Sequence, residues 1–219
     1  MTKDEIHFLL RRLHSLTGIV PTGGFLLFHF FENASARHGP EAFNETVVKI
    51  SSMPYLYWIE IFALLLPILF HAVYGIFITS SSRPELSHKY ERNFAYIMQR
   101  VTGMVAVFFI GYHVATTRVW ALFDKGDHFT FADMQANLAP TWVVVFYVIG
   151  ILSACYHFTN GVWSFSITWG IIRSRAAQER LARITSLAFV VLSVVGLDIL
   201  SAFIRKESIL ASIWTWMVG

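Results

Sequence analysis

Four histidines, His29, His71, His113 and His157, lie inside long apolar runs, one in each of the first four such runs. A strongly polar side chain at that depth is costly and normally faces the protein interior with a partner. A single such histidine is most simply a hydrogen-bonded packing residue, but four of them share a spacing that packing alone does not require. His71 follows Pro54 by 17 residues and His157 follows Pro140 by 17, while His29 follows Gly18 by 11 and His113 follows Gly103 by 10. The texts His71-Ala-Val-Tyr-Gly75 and His157-Phe-Thr-Asn-Gly161 share His-x-x-x-Gly, and Arg12-Leu-His-Ser-Leu-Thr-Gly18 matches Arg100-Val-Thr-Gly103. The chain therefore carries a weak tandem repeat, its first two runs against the next two.

Two imidazoles facing each other can ligate one iron from both sides, which fills the axial positions and suits electron transfer rather than oxygen binding. Two pairs at two depths offer only two ligands each, too few for a closed zinc site. The one cysteine, Cys155, excludes an internal disulfide, a cysteine-ligated iron–sulfur cluster and two-cysteine covalent haem attachment. Two haems of the b type, held only by histidine, are the expectation. The glycine four residues after His71 and His157 shares their helix face, where it leaves room for a flat macrocycle or for an ordinary close contact between membrane helices.

The elements that must carry these ligands follow from hydropathy. Of 219 residues, 55% are apolar and only 14% charged, against a charged share of about 25% in soluble domains. Runs of about 20 apolar residues match a hydrocarbon core of ~30 Å. Five spans are expected, at roughly Leu13 to Phe31, Tyr55 to Thr79, Ile97 to Phe123, Thr141 to Ile172 and Ile184 to Ile204. Pro54 and Pro140 open the second and fourth, where a missing backbone donor is tolerated. Residues 1–12 read as the lead into a retained first span rather than a signal peptide. The whole of 1–219 reads as a single transmembrane domain, an all-α membrane protein whose first four helices form an up-down-up-down bundle around two stacked haems. In such a bundle the first helix is diagonal to the third and the second to the fourth, so His29 pairs with His113 and His71 with His157.

With the N-terminus cytoplasmic, eleven Lys and Arg fall inside and six outside, although Arg205 and Lys206 pull the other way. His71 and His157 then lie near the cytoplasmic face and His29 and His113 near the outer one, roughly 18 Å apart in depth before tilt. The net charge of +3 is explained by those basic loops and calls for no nucleic acid.

The texts Arg11-Arg-Leu-His-Ser-Leu-Thr-Gly18, Pro67-Ile-Leu-Phe-His-Ala-Val-Tyr-Gly75, Gln99-Arg-Val-Thr-Gly103 and His157-Phe-Thr-Asn-Gly-Val-Trp-Ser-Phe165 resemble the single-chain, five-helix, two-haem cytochrome b subunit of bacterial succinate:menaquinone oxidoreductases and related fumarate reductases. The resemblance implies a multi-pass subunit of the cell inner (cytoplasmic) membrane. It implies a flavoprotein partner carrying FAD and the dicarboxylate site, and an iron–sulfur partner, both on the cytoplasmic face. It also implies the pairing that spacing indicates, with His71 and His157 on the proximal haem iron and His29 and His113 on the distal one. Electrons would pass between succinate or fumarate chemistry on the partners and a membrane quinone, menaquinone by resemblance.

Secondary residues have two readings each. Glu60 lies 11 residues before His71 on about the same face, toward the outer side; it can exchange protons with a quinone near the distal haem or sit as a satisfied acid near the headgroups. Arg12, His14 and Arg100, at the cytoplasmic ends of the first and third spans, can neutralise haem propionates or simply follow the positive-inside rule. Asp198 in the fifth span is a proton-route residue or a satisfied helix contact. Tyr55, Tyr57, Trp58, Trp214 and Trp216 suit interfacial anchors, and His7, His38, His88 and His128 suit solvated positions. Two other functions remain open on residues alone: a two-haem cytochrome b that stands alone or anchors a different dehydrogenase or reductase, and a haem-free anchor or transporter whose histidines relay protons or pack.

Overall fold

A computed structural model describes residues 2–81, 91–124, 128–205 and 217. The loop residues Ser82, Arg83, Pro84 and His88, the segment 125–127, and the proposed anchors Trp214 and Trp216 lie outside the described residues. Every regular element among the described residues is helical.

Helix α1, Lys3–Thr17, opens on a capping box in which Glu5 N–H donates to Thr2 Oγ1 and Thr2 N–H donates to Glu5 Oε2, at 3.3 and 2.8 Å. It runs without interruption through a π-helical turn, Gly18–Gly23, into α2, Gly24–Asn33. The wider turn falls at Pro21, which has no N–H to give and whose ring would strike the carbonyl four residues back, so the hydrogen-bond ladder is displaced locally. The same device recurs between α4, Leu56–Ile59, and α5, Leu66–Ser81: the π-helical turn Glu60–Leu65 stands just before Pro67. A short 3₁₀ turn, Ala34–His38, and α3, Pro40–Ser51, follow α2.

Helix α6, Glu91–Val114, continues through a third π-helical turn, Ala115–Val119, into α7, Trp120–Asp124. Then come α8, Phe131–Asn137, α9, Thr141–Thr168, and α10, Arg175–Arg205. Pro140 stands immediately before α9 as expected, and α9 ends four residues short of the expected limit, closed by Gly170 at φ 69°. The fifth expected span lies wholly inside α10, which begins nine residues earlier.

Four helices are long and apolar enough to cross a membrane among the described residues: Leu56–Ser81, Asn93–Asp124, Thr141–Thr168 and Arg175–Ile204. The helical stretch from Lys3 to Asn33 is not one of them; His14, Thr17, Pro21, Thr22 and His29 interrupt its apolar sequence.

The chain divides into two compact units. The first comprises Met1–Leu26, Tyr57–Val107 and Ser153–Val191, and the second Leu27–Leu56, Phe108–Leu152 and Leu192–Gly219. The second unit has an aromatic core: Phe43, Phe131 and Phe203 meet with centroids 4.8 to 6.0 Å apart and are joined by Phe109, Val143, Tyr147 and Leu200. Asn44 Oδ1 accepts the N–H of Phe131, which opens α8, and Gln135 of α8 donates to the carbonyl of Phe203. The first unit buries mostly small or polar side chains, Thr102, Ala106, Cys155, Thr159 and Ser166. None of the apolar window of Leu56–Ser81 is buried.

Candidate cofactor-binding histidine pairs

In the first unit, α5 presents His71 and α9 presents His157. Their ring centroids are 6.0 Å apart, with planes at 81°. His71 donates its Nδ1–H to the backbone carbonyl of His14 at 2.8 Å, and His157 donates its Nδ1–H to the backbone carbonyl of Gln99 at 3.0 Å. A carbonyl can only accept, so both rings carry their proton on Nδ1, and Nε2 of each keeps its lone pair.

Two glycines let these rings reach the neighbouring backbone. A Cβ on Gly18 would collide with His71 Cε1 and stand 2.8 Å from its Nδ1; one on Gly103 would stand 2.7 Å from His157 Cε1. His14 and Gly18 are four residues apart, as are Gln99 and Gly103, so each supporting carbonyl and the gap above it share one helix face. Gly75 and Gly161 each lie against a side chain of a neighbouring helix. Gly75 packs on the ring of His14, where a Cβ would be 3.0 Å from Cε1, and Gly161 faces Gln99 Nε2 at 3.5 Å. The tandem repeat is therefore an interlock of helix pairs used twice.

Of the three residues expected to meet propionates, His14 lies against His71. The ring of His14 stacks on that of His71 at 4.0 Å and 8°. Arg12 lies over Trp169 at 4.8 Å and over Phe8 at 5.0 Å, and Trp169 Nε1 donates to Ser15 Oγ at 3.0 Å. Arg12 Nε and His14 Nδ1 are buried with no hydrogen-bond partner among the described residues. Arg100 instead reaches the carbonyl of Ile78 at 3.4 Å and lies over Tyr96 at 4.6 Å. Glu60 opens the π-helical turn before α5, half-buried, in the same unit as His71 and His157.

In the second unit, His29 of α2 and His113 of α6 have centroids 5.7 Å apart and planes at 75°. His113 Nδ1 meets the hydroxyl of Tyr147 at 3.1 Å. His29 Nδ1 is 3.2 Å from Asn33 Nδ2, whose amide also donates to the His29 carbonyl at 2.8 Å, and 3.8 Å from Glu32 Oε2. Asp198 is a satisfied helix contact: its Oδ2 lies 3.0 Å from Arg37 Nε. His38 and His128 are exposed, as is His7, whose ring lies 5.9 Å from Phe77.

These pairs fit a metal held from two sides. A metal–imidazole bond of about 2 Å, with roughly 1 Å from nitrogen to ring centre, sets facing centroids about 6 Å apart. Both pairs have that spacing. The Nδ1–H to carbonyl bonds are the outer-shell support that fixes tautomer and ring orientation in metal-bound histidine, and the unpartnered Arg12 Nε suits an anionic group such as a propionate. No group of three or more His, Cys, Asp or Glu able to hold a metal occurs among the described residues.

Gln99 and Asn160 are the supporting residues that the reading of ligands passed over. Their signal was present in the repeat: Gln99 stands four residues before Gly103 as His14 does before Gly18.

Fold and site together define a multi-pass helical membrane protein with histidines set in facing pairs. The profile of the succinate dehydrogenase/fumarate reductase transmembrane subunit family matches residues 86–197. The chain is also 40% identical over 199 residues to the succinate dehydrogenase cytochrome b558 subunit of Bacillus subtilis (strain 168), an alignment covering 90% of this chain and 97% of that one. The chain belongs to the succinate dehydrogenase/fumarate reductase transmembrane subunit family.

Proposed function

We propose that this membrane subunit holds two haems of the b type, one between His71 and His157 and one between His29 and His113, and serves as the electron-carrying anchor of a succinate:quinone oxidoreductase. The single observation that carries the reading is the spacing of the two imidazole pairs, 6.0 and 5.7 Å. The cytochrome b558 name of the Bacillus subtilis relative supports it. When bound, a haem in each pair supplies one-electron carriage between an iron–sulfur partner and a membrane quinone such as menaquinone.

The chain's own residues do the holding. His71 and His157 present Nε2 because carbonyls of the neighbouring helices take their Nδ1 protons. Arg12 and His14, with Arg100 at the same end of the bundle, face the propionates. Glu60 exchanges protons with quinone. The stretch from Lys3 to Asn33, 31 residues of unbroken helix, adds a span to the four apolar ones, the first in chain order; at ~1.5 Å per residue it exceeds a ~30 Å core despite its polar interruptions. The N-terminus is cytoplasmic, and flavoprotein and iron–sulfur partners dock on that face and carry the dicarboxylate chemistry.

The test is a reduced-minus-oxidised absorption spectrum with haem quantification on the purified chain, for wild type, His113→Ala and His157→Ala. Two protohaems in wild type, with a different one lost in each variant, is the expected result. A folded wild-type chain without haem would overturn it and leave proton relay or packing as the role of the histidines.

A further inference from the structure

His71 and His157 are both supported by a helix carbonyl, but only at His157 do side chains close the arrangement. Gln99 touches His157 at both ends: its carbonyl accepts the imidazole Nδ1–H at 3.0 Å, and its side-chain Nε2 donates to the His157 carbonyl at 3.0 Å. Asn160, three residues further along α9, donates to Gln99 Oε1 at 2.8 Å. That bond orients the amide, oxygen toward Asn160 and nitrogen toward the backbone of His157. Gly161 lies beside that amide, where a Cβ would stand 3.5 Å from Gln99 Nε2. At the other support the equivalent side chain is the His14 ring, whose Nδ1 has no hydrogen-bond partner, so the loop of contacts is open there.

We propose that Gln99 and Asn160 are a positioning pair for the iron ligand His157, holding α6 against α9 so that the Gln99 carbonyl stays on the imidazole Nδ1–H. The assignment rests on the haem reading above. Its consequence is chemical as well as geometric. A strong hydrogen bond from Nδ1–H raises the basicity of the ligating nitrogen, and a more basic ligand favours ferric over ferrous iron. Within a half-buried polar network each bond also depends on its neighbours. Taking away the Gln99 side chain frees the two helices to part, lengthens the Nδ1–H bond and weakens the ligand. The potential of that haem should rise.

The measurement is a redox titration of haem absorbance in membranes containing the assembled complex, for wild type, Gln99→Leu, Asn160→Leu and the double variant. The His157→Ala variant identifies which of the two components belongs to this site. In Gln99→Leu the ferric preference of that component should fall about tenfold, an upward shift of about 59 mV for a one-electron couple, while the other component stays in place. Asn160→Leu should move the same component the same way by less. Because Asn160 acts through Gln99, the double variant should match Gln99→Leu alone.

A pair that only glues helices would lower thermal stability without moving one component selectively. Unshifted components, equal shifts of both, or additive effects in the double variant would each overturn the assignment. If Gln99→Leu does not assemble, Asn160→Leu leaves the Gln99–His157 bonds in place and carries the test on the same component. A wild type lacking two redox components fails the haem reading itself, and the assignment with it; wild-type components that no variant moves fail the assignment only.

Discussion

The ring of His71 lies flat on the ring of His14, 4.0 Å away, and gives its Nδ1 proton to the carbonyl of that same residue. One residue of α1 thus holds the candidate ligand by two means that a substitution can separate. His14→Ala removes the stacked ring but keeps the carbonyl, so the tautomer and direction of His71 survive. The expected outcome is haem retained in both sites, with a loss of stability of about 1 kcal/mol, the order of a stacked ring pair. Haem content and thermal unfolding in detergent check it; loss of one haem would show that the propionate contact of His14 is essential to keeping the cofactor.

Gly18→Ala and Gly103→Ala act on the opposite part of the same device. The new Cβ drives the ring of His71 or His157 off its carbonyl, at a packing cost of about 1–3 kcal/mol. Each variant should lose the haem between His71 and His157 and keep the one between His29 and His113. Gly24→Ala and Gly111→Ala, where a Cβ meets nothing within 4 Å, are the controls and should keep both.

Tyr147 is 3% exposed, and its hydroxyl reaches His113 Nδ1 at 3.1 Å. Tyr147→Phe removes that contact with little change of shape, for about 1 kcal/mol of stability. A redox titration should show the haem of the His29–His113 pair displaced in potential and the other unmoved. Displacement of the wrong component would reverse the pairing.

Asp198 is 3% exposed and its Oδ2 lies 3.0 Å from Arg37 Nε. Removing one partner of such a pair leaves a charge uncompensated, whereas removing both does not. Asp198→Ala, which leaves the one-third-exposed Arg37 unpaired, should lower unfolding stability by about 1 kcal/mol, and Arg37→Met with Asp198→Leu should recover most of the loss. If the double variant is no better than the single, the pair is not what holds this part of α10.

The proposed span in residues 3–33 and its direction are tested by single introduced cysteines. Cys155 is fully buried and adds no background. In right-side-out vesicles an impermeant thiol reagent should label Lys49→Cys and leave Thr2→Cys unlabelled. Equal labelling would place Thr2 and Lys49 on one side, so that residues 3–33 do not cross.

Much of the architecture was legible in residue order. Hydropathy located the four helices long and apolar enough to cross a membrane among the described residues, because lipid-facing apolar runs need a helix whose backbone bonds itself. The spacing from proline and glycine to histidine, with the diagonal relation of helices in a bundle, pointed to the two pairs whose ring centroids lie 6.0 and 5.7 Å apart. Boundaries were less legible: α10 begins at Arg175 rather than Ile184 because arginine and glutamine are good helix formers outside the apolar stretch as well as within it. The expected first span, Leu13 to Phe31, falls in a continuous helix that is not among the four apolar enough to cross a membrane, since five polar or ring-constrained residues break its apolar text.

The sequence by itself determined the membrane class, the four paired histidines and the family, since each depends on residue type and period along one chain. Tertiary structure alone decided how those histidines are held. Which carbonyl takes each Nδ1 proton, that Gly75 and Gly161 pack on His14 and Gln99, and that Asp198 is matched by Arg37 are contacts between residues 57 to 161 positions apart. Such partners are set by how helices cross, and no periodicity within a single helix encodes the residue opposite.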